Sequence, residues 1–95
     1  MTVTQLEPES LWNFFDRLNA IPRPSKKEEK VRSWVIRLGQ DWGFKTQVDD
    51  VGNVLIQKPA TKGMENRTAI VMQSHLDMVC QKNADTNFDF DNDGI

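Results

Sequence analysis

The only histidine of this 95-residue chain, His75, stands two positions before a carboxylate, Asp77. Side chains at i and i+2 of an extended chain point to the same side, so the two are expected to share a face. Two chemistries follow from an imidazole with a carboxylate beside it. A neutral imidazole ligates a zinc-class metal, its second nitrogen held by a carbonyl or carboxylate. An aspartate-oriented imidazole also serves as a general base. Beside both stands the plain alternative of a half-buried, hydrogen-bonded histidine at a strand end. A metal site needs three or four protein ligands. The chain offers one histidine and one cysteine, so further ligands must be carboxylates or lie beyond residue 95.

A second constellation sits near the C-terminus. Asp89, Asp91, Asp93 and Gly94 match the opening of a calcium-binding EF-hand loop, D-x-[DN]-x-[DN]-G. The glutamate that closes such a loop would fall past residue 95, and the residues before Asp89 make poor helix. A solvated acidic loop is the competing reading. Trp12, Trp34 and Trp42 fall on helical apolar faces, which suits core packing rather than base stacking. Cys80 has neither a nearby base nor a CxxC partner.

The elements that must position these residues can be read from periodicity. A first helix is expected over 8–19, with Pro8 in its first turn and Leu11, Phe15 and Leu18 at i, i+4 and i+7, widened by Trp12. Pro22 and Pro24 end it, because each pushes its predecessor out of the α region. Ser25, with Glu28 three positions on, reads as a capping box opening a second helix. Val31, Trp34, Val35, Leu38 and Trp42 form its apolar face, and Gly43 is placed as its left-handed terminator. Phe44, Thr46 and Val48 alternate with polar residues as a strand, and residues 54–57 return as the second arm of a hairpin. The apolar run 68–73 is expected to be a central parallel strand covered on both faces, with His75 just beyond its end. In open α/β sheets ligands gather beyond the carboxyl ends of the strands.

Composition narrows the classes. Twelve basic and 14 acidic residues leave a net charge of −2, which provides no footprint for nucleic acid or an anionic membrane surface. No apolar run reaches the roughly twenty residues that span a bilayer. The N-terminus lacks both a basic start and an apolar signal core, and with one cysteine no internal disulfide forms; a cytoplasmic location is expected. A chain this short holds one domain with a modest core. Residues 81–95 contain no convincing element, so the 95 residues are expected to be the N-terminal segment of a longer, incomplete domain.

The neighbourhood of His75 carries more than its spacing. Residues 74–83, SHLDMVCQKN, resemble the first metal-binding segment, G-H-x-D-x-V-P, of the di-metal exopeptidases, the family of carnosinases, peptidase T and glutamate carboxypeptidase. MVCQKN directly after HLD narrows the resemblance to the aminoacyl-histidine dipeptidases. IPRPSKKEEKV (21–31) and VGNVLIQKPAT (51–61) are similar to earlier segments of those enzymes, in the same order. The likeness spans about residues 11–89.

The resemblance implies an α/β catalytic domain of which these residues are the front part: two helices, a hairpin and a core parallel strand. It implies a metallodipeptidase acting on dipeptides, Xaa-His types such as carnosine included. His75 would bind one of two divalent ions, zinc foremost, with cobalt or manganese as alternatives. Asp77 would orient His75 rather than ligate. The remaining ligands and a lid domain would lie beyond residue 95, so the 95 residues alone are expected to be inactive. The parent enzyme would be a homodimer, and the segment alone would self-associate through uncovered surface. Ser74 and Cys80 depart from the family's glycine and proline, and neither departure removes a ligand. The readings outside this family are a non-catalytic α+β binding module and a calcium-binding protein using Asp89, Asp91 and Asp93.

Overall fold

The computed structural model describes residues 1–95. The chain divides into two compact units, one of Met1–Val31 with Leu76–Ile95, the other Arg32–His75.

The first unit begins with a short 3-10 turn, Val3–Gln5, in which the Gln5 side chain accepts the Thr2 amide at 2.8 Å. Helix α1 runs Glu9–Asn19. Pro8 sits just outside it as the extended N-cap, where a residue without an amide proton removes no helical bond. Glu9 in the first turn and Arg17 in the last complement the helix dipole. The expected stripe is present, but only partly covered. Leu18 and Trp12 are half-buried, whereas Leu11 and Phe15 are exposed. Trp12 packs edge-on against Phe15, with ring centroids 5.5 Å apart. Residues 81–95 form no helix or strand, as expected. They are tied back by the Ile95 amide, which donates to the Asn19 carbonyl at 2.8 Å.

Helix α2, Glu29–Asp41, starts three residues later than the capping-box pattern predicts. The Ser25 hydroxyl donates instead to Asp77, and Lys26 adopts a left-handed backbone with φ +70°. A long-range acceptor has taken the group that would have capped the helix. The other end forms as read. Gly43 adopts φ +74°, its amide donates to Gln40 and the Phe44 amide donates to Gly39, the paired bonds of a Schellman terminus. Trp42 is 50% exposed, against the expectation of core packing, and its ring lies beside Phe44 with centroids 6.0 Å apart.

In the second unit, strands β1 (Lys45–Val48) and β2 (Val54–Gln57) pair antiparallel, Lys45 opposite Gln57 and Val48 opposite Val54. Thr46, Val54 and Ile56 are the half-buried positions, and Leu55 and Val48 face out. Helix α2 lies on this hairpin at Gly39. A β-carbon there would sit 2.4 Å from Thr46 Oγ1 and 3.1 Å from Ile56. Only a residue without a side chain permits so close an approach.

The parallel core strand expected over 68–73 does not form. These residues belong to no strand, and Ile70, Val71 and Met72 are 86%, 85% and 93% exposed. A parallel strand requires neighbours along its edges, and β1 and β2 pair only with each other. Val31 is the single fully buried apolar side chain. The chain exposes 8061 Å², where a folded monomer of 11.0 kDa exposes about 5,600 Å². Even a modest core is therefore not closed within these residues.

Candidate functional site

The arm that follows α1 is shaped by its prolines. Pro22 and Pro24 keep residues 21–24 out of helical geometry, and Pro24 is buried. Alongside it runs the segment 76–78, joined by a parallel bridge between Pro24 and Met78. The Met78 amide donates to the Arg23 carbonyl at 2.8 Å, and the Ser25 amide donates to the Met78 carbonyl at 3.2 Å. Both bonds use the residues flanking Pro24, so its missing amide proton leaves nothing unmet.

Side chains reinforce the same junction. Arg23 donates from one guanidinium nitrogen to the Leu76 carbonyl and from the other to Asn19 Oδ1, both at 3.0 Å. The Ser25 hydroxyl donates to Asp77 Oδ2 at 2.5 Å. Asp77, half-buried, is thereby fastened to a segment 52 positions earlier. Spacing along the sequence marks Ser25 only as a helix cap and gives no sign of Arg23. The only hint was that both lie in one of the segments that carry the family likeness.

His75 is exposed, on residues that belong to no helix or strand. The expected placement at the end of a rigid core strand is corrected with the strand itself. No group of three or more histidine, cysteine, aspartate or glutamate side chains is arranged to hold a metal ion. One imidazole falls short of the three or four protein ligands that a zinc ion requires.

The acidic stretch 89–93 is turned upon itself. Asp89 accepts the Asp91 amide at 2.9 Å and the Asn92 side chain at 2.7 Å, while Asp93 accepts the Asp89 amide at 2.8 Å. The Asn92 bond, followed by the Asp91 amide, holds the Asp89 carboxyl below the usual aspartate range. Asp91 pairs with Lys27 at 3.0 Å, which raises the lysine above its ordinary value. The carboxylates serve an Asx-type turn and a surface ion pair instead of converging on a calcium ion. Cys80 is an exposed thiol.

No protein-family profile matches the chain. The chain is 48% identical over 93 residues to the cytosol non-specific dipeptidase of Escherichia coli, covering 98% of this chain and 19% of that protein. Its structure is similar to the crystal structure of aminoacylhistidine dipeptidase from Vibrio alginolyticus, with a TM-score of 0.96 and 46% identity. That match covers 100% of this chain and 19% of the other. The chain thus spans about a fifth of the length of the relatives it matches. With two helices, an antiparallel hairpin and a bonded junction of Arg23–Ser25 with residues 76–78, this chain is similar throughout to the N-terminal part of an aminoacylhistidine, or cytosol non-specific, dipeptidase.

Proposed function

We propose that these residues are the N-terminal segment of the catalytic domain of a cytoplasmic, metal-dependent dipeptidase that hydrolyses unblocked dipeptides, Xaa-His types such as carnosine among them. The observation that carries this is the likeness, at 46–48% identity over essentially the whole chain, to proteins named for dipeptide hydrolysis. The uncovered apolar residues agree with it, since they are surface that the remainder of a longer domain would bury. No helix is long and apolar enough to cross a membrane.

Within this reading His75 is one ligand of a site for two zinc-class ions, with cobalt or manganese as substitutes, and Asp77 orients its imidazole. The other ligands belong to the longer protein. The 95 residues alone bind no ion tightly, are inactive, and self-associate through their open apolar surface, whereas the parent is a homodimer.

The test is hydrolysis of a Xaa-His dipeptide by the full-length protein, followed by chromatography of the released amino acids. Expected are turnover that a chelator abolishes and zinc restores, and loss of at least about 100-fold in His75→Ala. A full-length protein with no such turnover, or a His75→Ala variant as active as the parent, refutes the reading.

A further inference from the structure

We infer that Ser25 is a positioning residue of this site, holding the carboxylate of Asp77 in place; the inference rests on the role proposed for Asp77. Four observations carry it. The Ser25 hydroxyl donates to Asp77 Oδ2, and hydrogen bonds to an ionised carboxylate are the stronger kind. The serine is itself fixed, because its amide donates to the Met78 carbonyl while the Met78 amide donates to Arg23. The arm is thus tied by two main-chain bonds to the residue that follows Asp77. The next residue, Lys26, is held at φ +70°, a region that side-chain-bearing residues rarely occupy.

The fourth observation is a local rule that the fold sets aside. Ser25 and Glu28 have the spacing of a capping box, and a serine so placed ordinarily accepts a backbone amide at the start of a helix. Here the helix begins at Glu29 and the hydroxyl turns to a carboxylate 52 positions away. Conflicts between local preference and tertiary contact are expected to gather at functional sites. The contact also joins two segments that the dipeptidase likeness singles out. A carboxylate that must orient an imidazole has two side-chain torsions to fix, and a donor on a tied arm fixes them before any ligand arrives.

The test compares Ser25→Ala, Asp77→Ala and the double variant in the full-length enzyme. It reads kcat and KM on a Xaa-His dipeptide, and zinc retention by competition with a chromophoric chelator. Ser25→Ala is expected to lower kcat about tenfold and to weaken zinc retention by a similar factor, with KM changed less than about twofold. On the Asp77→Ala background the same substitution should cost nothing further, because its effect runs through the carboxylate. Ser25→Thr, which keeps the hydroxyl, should recover most of the loss. Wild-type kcat and zinc retention in Ser25→Ala, or a full additive loss in the double variant, overturns the inference. Should Ser25→Ala prove too unstable to assay, a Ser25→Thr enzyme that folds but loses both properties overturns it equally. If His75→Ala is inactive while Ser25→Ala is unimpaired, this inference alone fails. If His75→Ala is fully active, the reading beneath it fails as well.

Discussion

Arg23 donates from its guanidinium to the main-chain carbonyl of Leu76, across 53 positions of sequence, at 3.0 Å. The same group reaches Asn19 at the end of α1. One planar fork therefore ties a helix terminus to the residue immediately before Asp77. Arg23→Ala leaves a part-buried carbonyl without this donor, a loss of about 1–3 kcal/mol. Expected is faster hydrogen exchange at the Met78 amide, with α2 unaffected. Arg23→Lys, a point charge in place of a fork, should fall between.

Gly43 ends α2 at φ +74° with open space around its α-carbon. Conformation, not crowding, sets the requirement there. Gly43→Ala is expected to destabilise the chain by about 1–2 kcal/mol, and Gly43→Asn by less, since asparagine tolerates the left-handed region. Urea midpoints of the two variants give the ordering.

Gly39 poses the opposite problem, because a β-carbon there collides with Thr46 Oγ1 at 2.4 Å. Gly39→Val should cost about 1–3 kcal/mol by overpacking the face between helix and hairpin. Thr46→Ala removes the nearest atom and should recover part of that loss. A double-mutant cycle read by thermal unfolding checks the coupling.

The hairpin turn rests on Asp49. Its carboxylate accepts the Asn53 side chain and the Asn53 amide, both at 2.8 Å, and the Val51 amide at 3.1 Å. The Asn53 side-chain bond, first among these, holds the carboxyl below its ordinary value of 3.8. An acid whose value is lowered by folding stabilises the fold above its unfolded value, and the contribution is lost as pH falls through the folded one. The Asn53 and Val51 amide resonances should therefore shift with a midpoint below 3.8. Asp49→Asn should abolish that titration.

What could be read from the sequence was set by short-range physics. Alternation located the hairpin, and a glycine after an apolar face located the end of α2. Those features depend on neighbours a few residues away. The start of α2 was misread because the Ser25 hydroxyl answers to Asp77, which no local pattern reveals. The run 68–73 has the composition of a core strand, but a strand exists only through its partners, and none in this chain takes that place. His75 and Asp77 were named from spacing and likeness. Arg23 and Ser25, which hold the segment around Asp77, could be found only from the fold.

Residues 68–73 have one more consequence. Thr-Ala-Ile-Val-Met-Gln carries no charge and no proline, and its three central side chains are almost wholly in water. Six such residues, outside any ladder, have the make-up of segments that stack into cross-β fibrils. Long before catalysis is at issue, this stretch is expected to limit how concentrated the isolated chain can become before it precipitates. A lysine at Val71 would interrupt the stacking and touch none of the hydrogen bonds that hold Asp77.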